Sequence, residues 1–66
     1  MSRPDALEES RRRAFAVAYR MLGSVSEAED VAQETMLRLH RETEEGREVE
    51  SPAAFAATVA TRLSID

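Results

Sequence analysis

The residues able to do chemistry are few, and their spacing argues against catalysis. The chain has one His, no Cys and two Gly, so it has no thiolate and no Gly-rich phosphate loop, and no Ser sits in a nucleophile elbow. His40 lies six residues after Glu34 and ten after Asp30, outside the spacing of three or four that brings ligands onto one helical face. A surface position near a helix end accounts for it. Glu29, Asp30 and Glu34 are the carboxylates a hard cation such as Mg²⁺ would use. No further ligand accompanies them, and acidic residues are favoured at a helix N-terminus by the backbone dipole. The expectation is therefore no enzyme, no cofactor and no metal. What remains is a line of two carboxylates, an amide and an apolar side chain: Asp30, Gln33, Glu34 and Leu37 recur at helical spacing and make a small surface suited to a protein partner.

Three helices must position that line. The first is expected over about residues 5–22, with Leu7, Ala14, Ala18 and Met21 on one stripe widened by Phe15, Tyr19 and Leu22. Gly23 supplies its stop. Ser26 is expected to open the second helix, over 26–41, in a capping box with Glu29, and Ala28, Val31, Ala32, Thr35 and Leu39 form its apolar repeat. Residues 42–50 read as a solvated loop. Ser51 and Pro52 give an N-cap and a first-turn proline, and the third helix, over 52–66, carries Phe55, Val59 and Leu63 as its buried line with Ala56 and Ala60 beside them. Phe15 and Tyr19 are expected in the core. Arg11, Arg12 and Arg13 point in different directions around a helix and read as solvated surface.

Sixty-six residues hold one small core, with roughly 60% of the unfolded surface buried at this size. The fold class is all-α. With no cysteine, a reducing cytoplasm is the default location. No apolar run approaches the roughly 20 residues of a membrane span, and the charged N-terminal segment is unlike a signal peptide. The net charge of −4 is unlike that of a nucleic-acid-binding chain. It is unevenly spread: residues 3–22 hold five Arg and three acids, residues 23–50 three Arg and nine acids, and residues 51–66 one of each. All nine basic residues are Arg and eleven residues are Ala, a bias that reads as genomic base composition and that favours helix.

The run from Ala18 to Thr35, above all Ala28-Glu29-Asp30-Val31-Ala32-Gln33-Glu34-Thr35 at the start of a helix, resembles conserved region 2 of the sigma-70 family in its extracytoplasmic-function group. Ser51-Pro52-Ala53-Ala54-Phe55 and the stretch Thr61 to Asp66 resemble the later part of that region, so the likeness covers about residues 10–66. The wording around Arg20-Met21-Leu22-Gly23-Ser24 is most similar to the subgroup whose full-length members carry an extra C-terminal domain of ketosteroid-isomerase-like fold.

The resemblance implies a three-helix sigma region 2 domain spanning 1–66, acting as a transcription initiation module. Its second helix would dock on the β′ clamp helices of core RNA polymerase through Asp30, Gln33, Glu34 and Leu37. The loop from about Arg47 to Ser51 corresponds to the one that in relatives helps capture a base flipped from the −10 element. The third helix would lie against the melted non-template strand, with Thr58 and Arg62 as contacts. Two positions depart from the family pattern: Phe55 stands where many relatives have Trp, and Arg62 where they have Asn. The chain reaches Asp66 with no helix stop signal, so it is expected to be truncated within or just after the third helix, without the −35-reading region 4 or any C-terminal domain, and not to direct transcription alone. The alternative is a helical interaction or dimerisation module whose Leu37 stripe binds itself or a regulator such as an anti-sigma factor.

Overall fold

The computed structural model describes residues 6–65. Asp5 and Asp66, each placed at a helix end by the sequence reading, lie outside them. Three helices follow one another: α1 (Ala6–Leu22), α2 (Val25–Glu44) and α3 (Pro52–Ile65). All three pack on one another, most extensively α1 with α3 and least α2 with α3. They make a slab of 32 × 31 × 15 Å.

Each helix end has a local cause. Gly23 takes a left-handed φ of 69°, and its N–H donates to the Tyr19 carbonyl at 2.8 Å, the single-bond C-terminal stop that glycine permits without a Cβ penalty. The chain then turns at once. Ser24, extended at φ −133° and ψ 127°, is the N-cap of α2 and its side chain accepts the Glu27 N–H. This corrects the expected capping by Ser26. Two Ser-x-x-Glu frames overlap, Ser24 to Glu27 and Ser26 to Glu29. Because Gly23 ends α1 one residue earlier, the first frame is the one that can open the next helix. Ser26 sits inside the first turn, its Oγ 3.4 Å from that of Ser24.

α2 also runs past its expected end at Arg41, to Glu44. Gly46 has φ 80°, and two backbone bonds close the helix: Gly46 N–H to Thr43 C=O and Arg47 N–H to Glu42 C=O, both at 3.1 Å. That pair is a Schellman stop. Glu42 to Glu45 read as loop because Glu-Thr-Glu-Glu carries no apolar period, although Glu is a good helix former. Ser51 caps α3 as expected, its Oγ accepting the Ala54 N–H at 3.3 Å.

The core is made of small residues. Ala14 and Ala18 of α1, Ala28 and Ala32 of α2, and Ala56 and Ala60 of α3 are buried, with Leu39 the largest side chain fully enclosed. The buried line of α3 is therefore Ala56 and Ala60, with Phe55, Val59 and Leu63 half-buried along its flanks. α1 differs in the same way, since Ser10 is enclosed while Leu7, Tyr19 and Met21 are exposed. Alanines at each contact let the helices approach closely, and the larger apolar groups are left at the rims of the seams. The α2 repeat is buried at Ala28, Ala32, Thr35 and Leu39, with Val31 half-buried. Two wholly buried residues carry hydroxyls, with opposite outcomes: Ser10 Oγ donates to the Ala6 carbonyl at 2.8 Å, whereas Thr35 Oγ1, like Ser64 Oγ of half-buried Ser64, has no partner among the described residues.

Candidate functional site

Successive residues of a helix are turned by about 100°, so the line Asp30–Gln33–Glu34–Leu37 lies opposite the buried line Ala28–Ala32–Thr35–Leu39. Burial agrees: Asp30, Gln33 and Leu37 are exposed and Glu34 is half-buried. Leu37 is 54% exposed, a large apolar group left largely in solvent. Glu34 already holds Arg38 one turn on, Nε to Oε2 at 3.2 Å. Gln33 borders a groove of about 400 Å³ between α1 and α2, whose floor includes Phe15, Ala32 and Met36. Phe15 stacks on Tyr19 with ring centroids 5.9 Å apart, so the expected core pair is only partly enclosed.

The loop between α2 and α3 bounds a second groove, about 430 Å³, lined by Glu42, Arg47, Val49, Ser51 and Phe55 among others. Arg47 and Ser51, two of the four residues the sequence reading assigns to nucleic acid, meet here. Both are already engaged in holding the loop. The Arg47 guanidinium pairs with Glu42 at 3.0 Å and Glu45 at 3.1 Å, and hydrogen bonding and charge from Glu42 push its pKa up further. Side chain and backbone of Arg47 thus both fasten on Glu42, and the Ser51 hydroxyl accepts from α3. Thr58 and Arg62 are exposed one turn apart on α3. Arg62 enters a third groove, about 320 Å³, with Arg38, Arg41, Glu42, Phe55 and Val59; Thr58 lines none of the three.

Arg38 and Arg41 are the residues that sequence reading missed. Their spacing of three puts them on one side of α2, but that Arg62 of α3 joins them is not reported by any single-helix pattern. Phe55 was read only as a core residue, yet it lines both the loop groove and the arginine groove. Among the described residues no group of three His, Cys, Asp or Glu side chains could hold a metal ion, and no helix is long and apolar enough to cross a membrane.

The profile of the family described as Sigma-70 region 2 matches residues 6–66. The chain belongs to the sigma-70 family. Within it, this region 2 domain is similar to the ECF RNA polymerase sigma factor SigJ of Mycobacterium tuberculosis (strain ATCC 25618 / H37Rv), with 37% identity over 59 residues, 89% of this chain and 18% of that protein. That relative's name puts it in the extracytoplasmic-function group. The sigma domain thus spans less than a fifth of the length of this curated relative. No solved structure matches the chain. The expected all-α, three-helix architecture is the one found.

Proposed function

We propose that this domain binds core RNA polymerase through α2 and takes part in recognising and melting the −10 element of promoters. The observation that carries the reading is the line Asp30, Gln33, Glu34 and Leu37. It faces away from the core, exposes a leucine, and has two carboxylates and an amide around it that can pair with arginines of a partner. A helical partner such as the β′ clamp would bury Leu37, and the adjoining α1–α2 groove extends the apolar part of the contact. The acidic balance of residues 23–50 would speed and orient the encounter.

Nucleic acid would meet the other end of the slab. The loop groove has an aromatic ring, Phe55, and a loop fixed by the Arg47–Glu42 clasp and the Ser51 cap, features that suit an unpaired base held by stacking. Arg62 and Thr58 would follow the strand along α3. Arg47, tied to two carboxylates, then acts by shaping the loop, and Ser51 by capping α3.

The test is the affinity of the chain for the isolated β′ clamp helices. Gln33→Ala and Glu34→Gln together should weaken binding at least tenfold, about 1.4 kcal/mol, and Leu37→Ala a similar amount. Unaltered binding in both variants would show that this face is not the docking surface. Self-association that disappears with Leu37→Ala would favour a dimerisation module instead.

A further inference from the structure

The outer face of α1 lies outside both the docking line and the loop, yet its charges are ordered. α1 carries four Arg against two Glu, while residues 25–37 of α2 carry four acids and no base. At about 100° per residue, Glu9, Arg13, Ala16 and Arg20 fall within about 60° of one another on α1, and Glu27, Val31, Glu34 and Arg38 do the same on α2. Both stripes have steps of four, three and four residues. Val31 and Glu34 are half-buried and the other six are exposed. Among the described residues the side chains of Glu9, Arg13, Arg20 and Glu27 have no ion-pair partner, and Glu34 and Arg38 are engaged only with each other, at 3.2 Å.

From this we infer that the outer stripe of α1 binds the α2 stripe of a second copy of this chain, the two helices running antiparallel. In that direction Glu9 faces Arg38, Arg13 faces Glu34, Ala16 faces Val31 and Arg20 faces Glu27. Three opposite-charge pairs then surround one small apolar contact where the helices can approach. The parallel alignment instead sets Glu9 against Glu27 and Arg20 against Arg38, like charges that disfavour it. Charge order thus selects both the occupant and its direction, although the net charge of −4 would hold copies apart if it were evenly spread. Each copy carries both stripes, so the contact joins unlike patches. Because the pairs are exposed, the association is weak and salt-sensitive. Its consequence rests on the proposed docking reading: Glu34 belongs to the stripe and to the docking line, so a copy paired through α2 cannot present that line to polymerase.

Sedimentation velocity of the chain over a wide concentration range at low salt tests this. Wild type should sediment faster as concentration rises, and the effect should fade as salt is added. Arg13→Glu with Arg20→Glu, or Glu27→Arg with Glu34→Arg, should weaken self-association at least tenfold. An equal mixture of the two variants should restore it, because the reversed stripes match each other. Circular dichroism checks that both are folded. Arg13→Ala with Arg20→Ala, which adds no new charge, should weaken association roughly threefold and serves if the reversals unfold. A chain that stays monomeric at low salt, reversals that associate like wild type, or a mixture that fails to restore association would overturn the inference. So would self-association lost in Leu37→Ala but untouched by the reversals, since Leu37 lies to one side of the stripe and that result belongs to a leucine-mediated pair. The docking reading fails separately: neither wild type nor the Arg13→Ala, Arg20→Ala variant would then bind the β′ clamp helices, with charge-dependent self-association intact. Where both readings hold, that variant should bind the clamp helices more tightly than wild type at concentrations where wild type pairs.

Discussion

Replacing Thr35 by Val should stabilise the domain. Thr35 is fully enclosed on α2, and its hydroxyl has no hydrogen-bond partner among the described residues. A buried hydroxyl without a partner forfeits about 1–3 kcal/mol of hydration. Val keeps the β-branched shape and its rotamer restriction and has nearly the same helix propensity, so the exchange removes that penalty while leaving the packing in place. The expected gain is about 1–2 kcal/mol, and at this chain length each kcal/mol raises Tm by about 4–8 °C. Thermal and urea unfolding followed by circular dichroism would measure it. Thr35→Ser serves as the first control: it keeps the unpaired hydroxyl, removes a buried methyl, and should lose about 1 kcal/mol. Ser10→Ala serves as the second. There the hydroxyl is engaged with the Ala6 carbonyl, and loss of that bond is offset by the better helix propensity of Ala, so Tm should stay close to its starting value. A Thr35→Val protein less stable than wild type would refute the reasoning, because it would mean that the hydroxyl is satisfied in solution.

Two further outcomes follow from the helix ends and the surface charges. Gly46→Ala should lose about 1–2 kcal/mol, since a φ of 80° is unfavourable for any residue with a Cβ. Nothing lies within 4 Å of the added carbon, so the loss is conformational, and Gly46→Asn, which tolerates this region better, should recover part of it in the same unfolding assay. Glu8, paired with Arg11 at 2.6 Å, has its pKa lowered by that hydrogen bond first and by the charge of Arg11 second. Its contribution to stability is therefore present above the ordinary carboxylate range and is lost as pH falls through the lowered value. The Tm difference between wild type and Glu8→Gln should be small, constant near neutrality, and vanish in acid; a difference that grows on acidification would contradict the assignment.

How legible the domain was in its sequence depended on which physical signal each part carries. Helix existence was plain because Ala and apolar residues recur at helical spacing and because Gly23 and Ser51-Pro52 mark boundaries chemically. The start of α2 was misplaced because two capping frames overlap, and only the geometry after Gly23 decides between Ser24 and Ser26. Its end was misplaced because a turn of Glu and Thr has no apolar period. The core was misjudged in a more instructive way. Hydrophobicity ranks Phe55, Val59, Leu63 and Met21 above Ala, yet close helix approach selects the alanines for the interior and sends the larger groups outward. For the candidate site, the line on α2 could be read directly, since four positions on one helix share a face by arithmetic. The arginine groove could not, because it joins α2 to α3 across a loop, and no single-helix pattern reports which turns of two helices meet.

The alanine seam has a consequence for how this domain can change. In an ordinary core each position demands a minimum volume, and evolution or design fails by leaving holes. Here the seam positions set a maximum: Ala14, Ala32, Ala56 and Ala60 cluster where three backbones come together, so even one added methyl group must push helices apart. The seam is thus rigid in size, while the rim, where Leu7, Tyr19 and Met21 stand half in solvent, is free to drift in bulk and polarity. New binding preferences can accumulate on the outer faces of such a domain with little disturbance to the architecture that presents them.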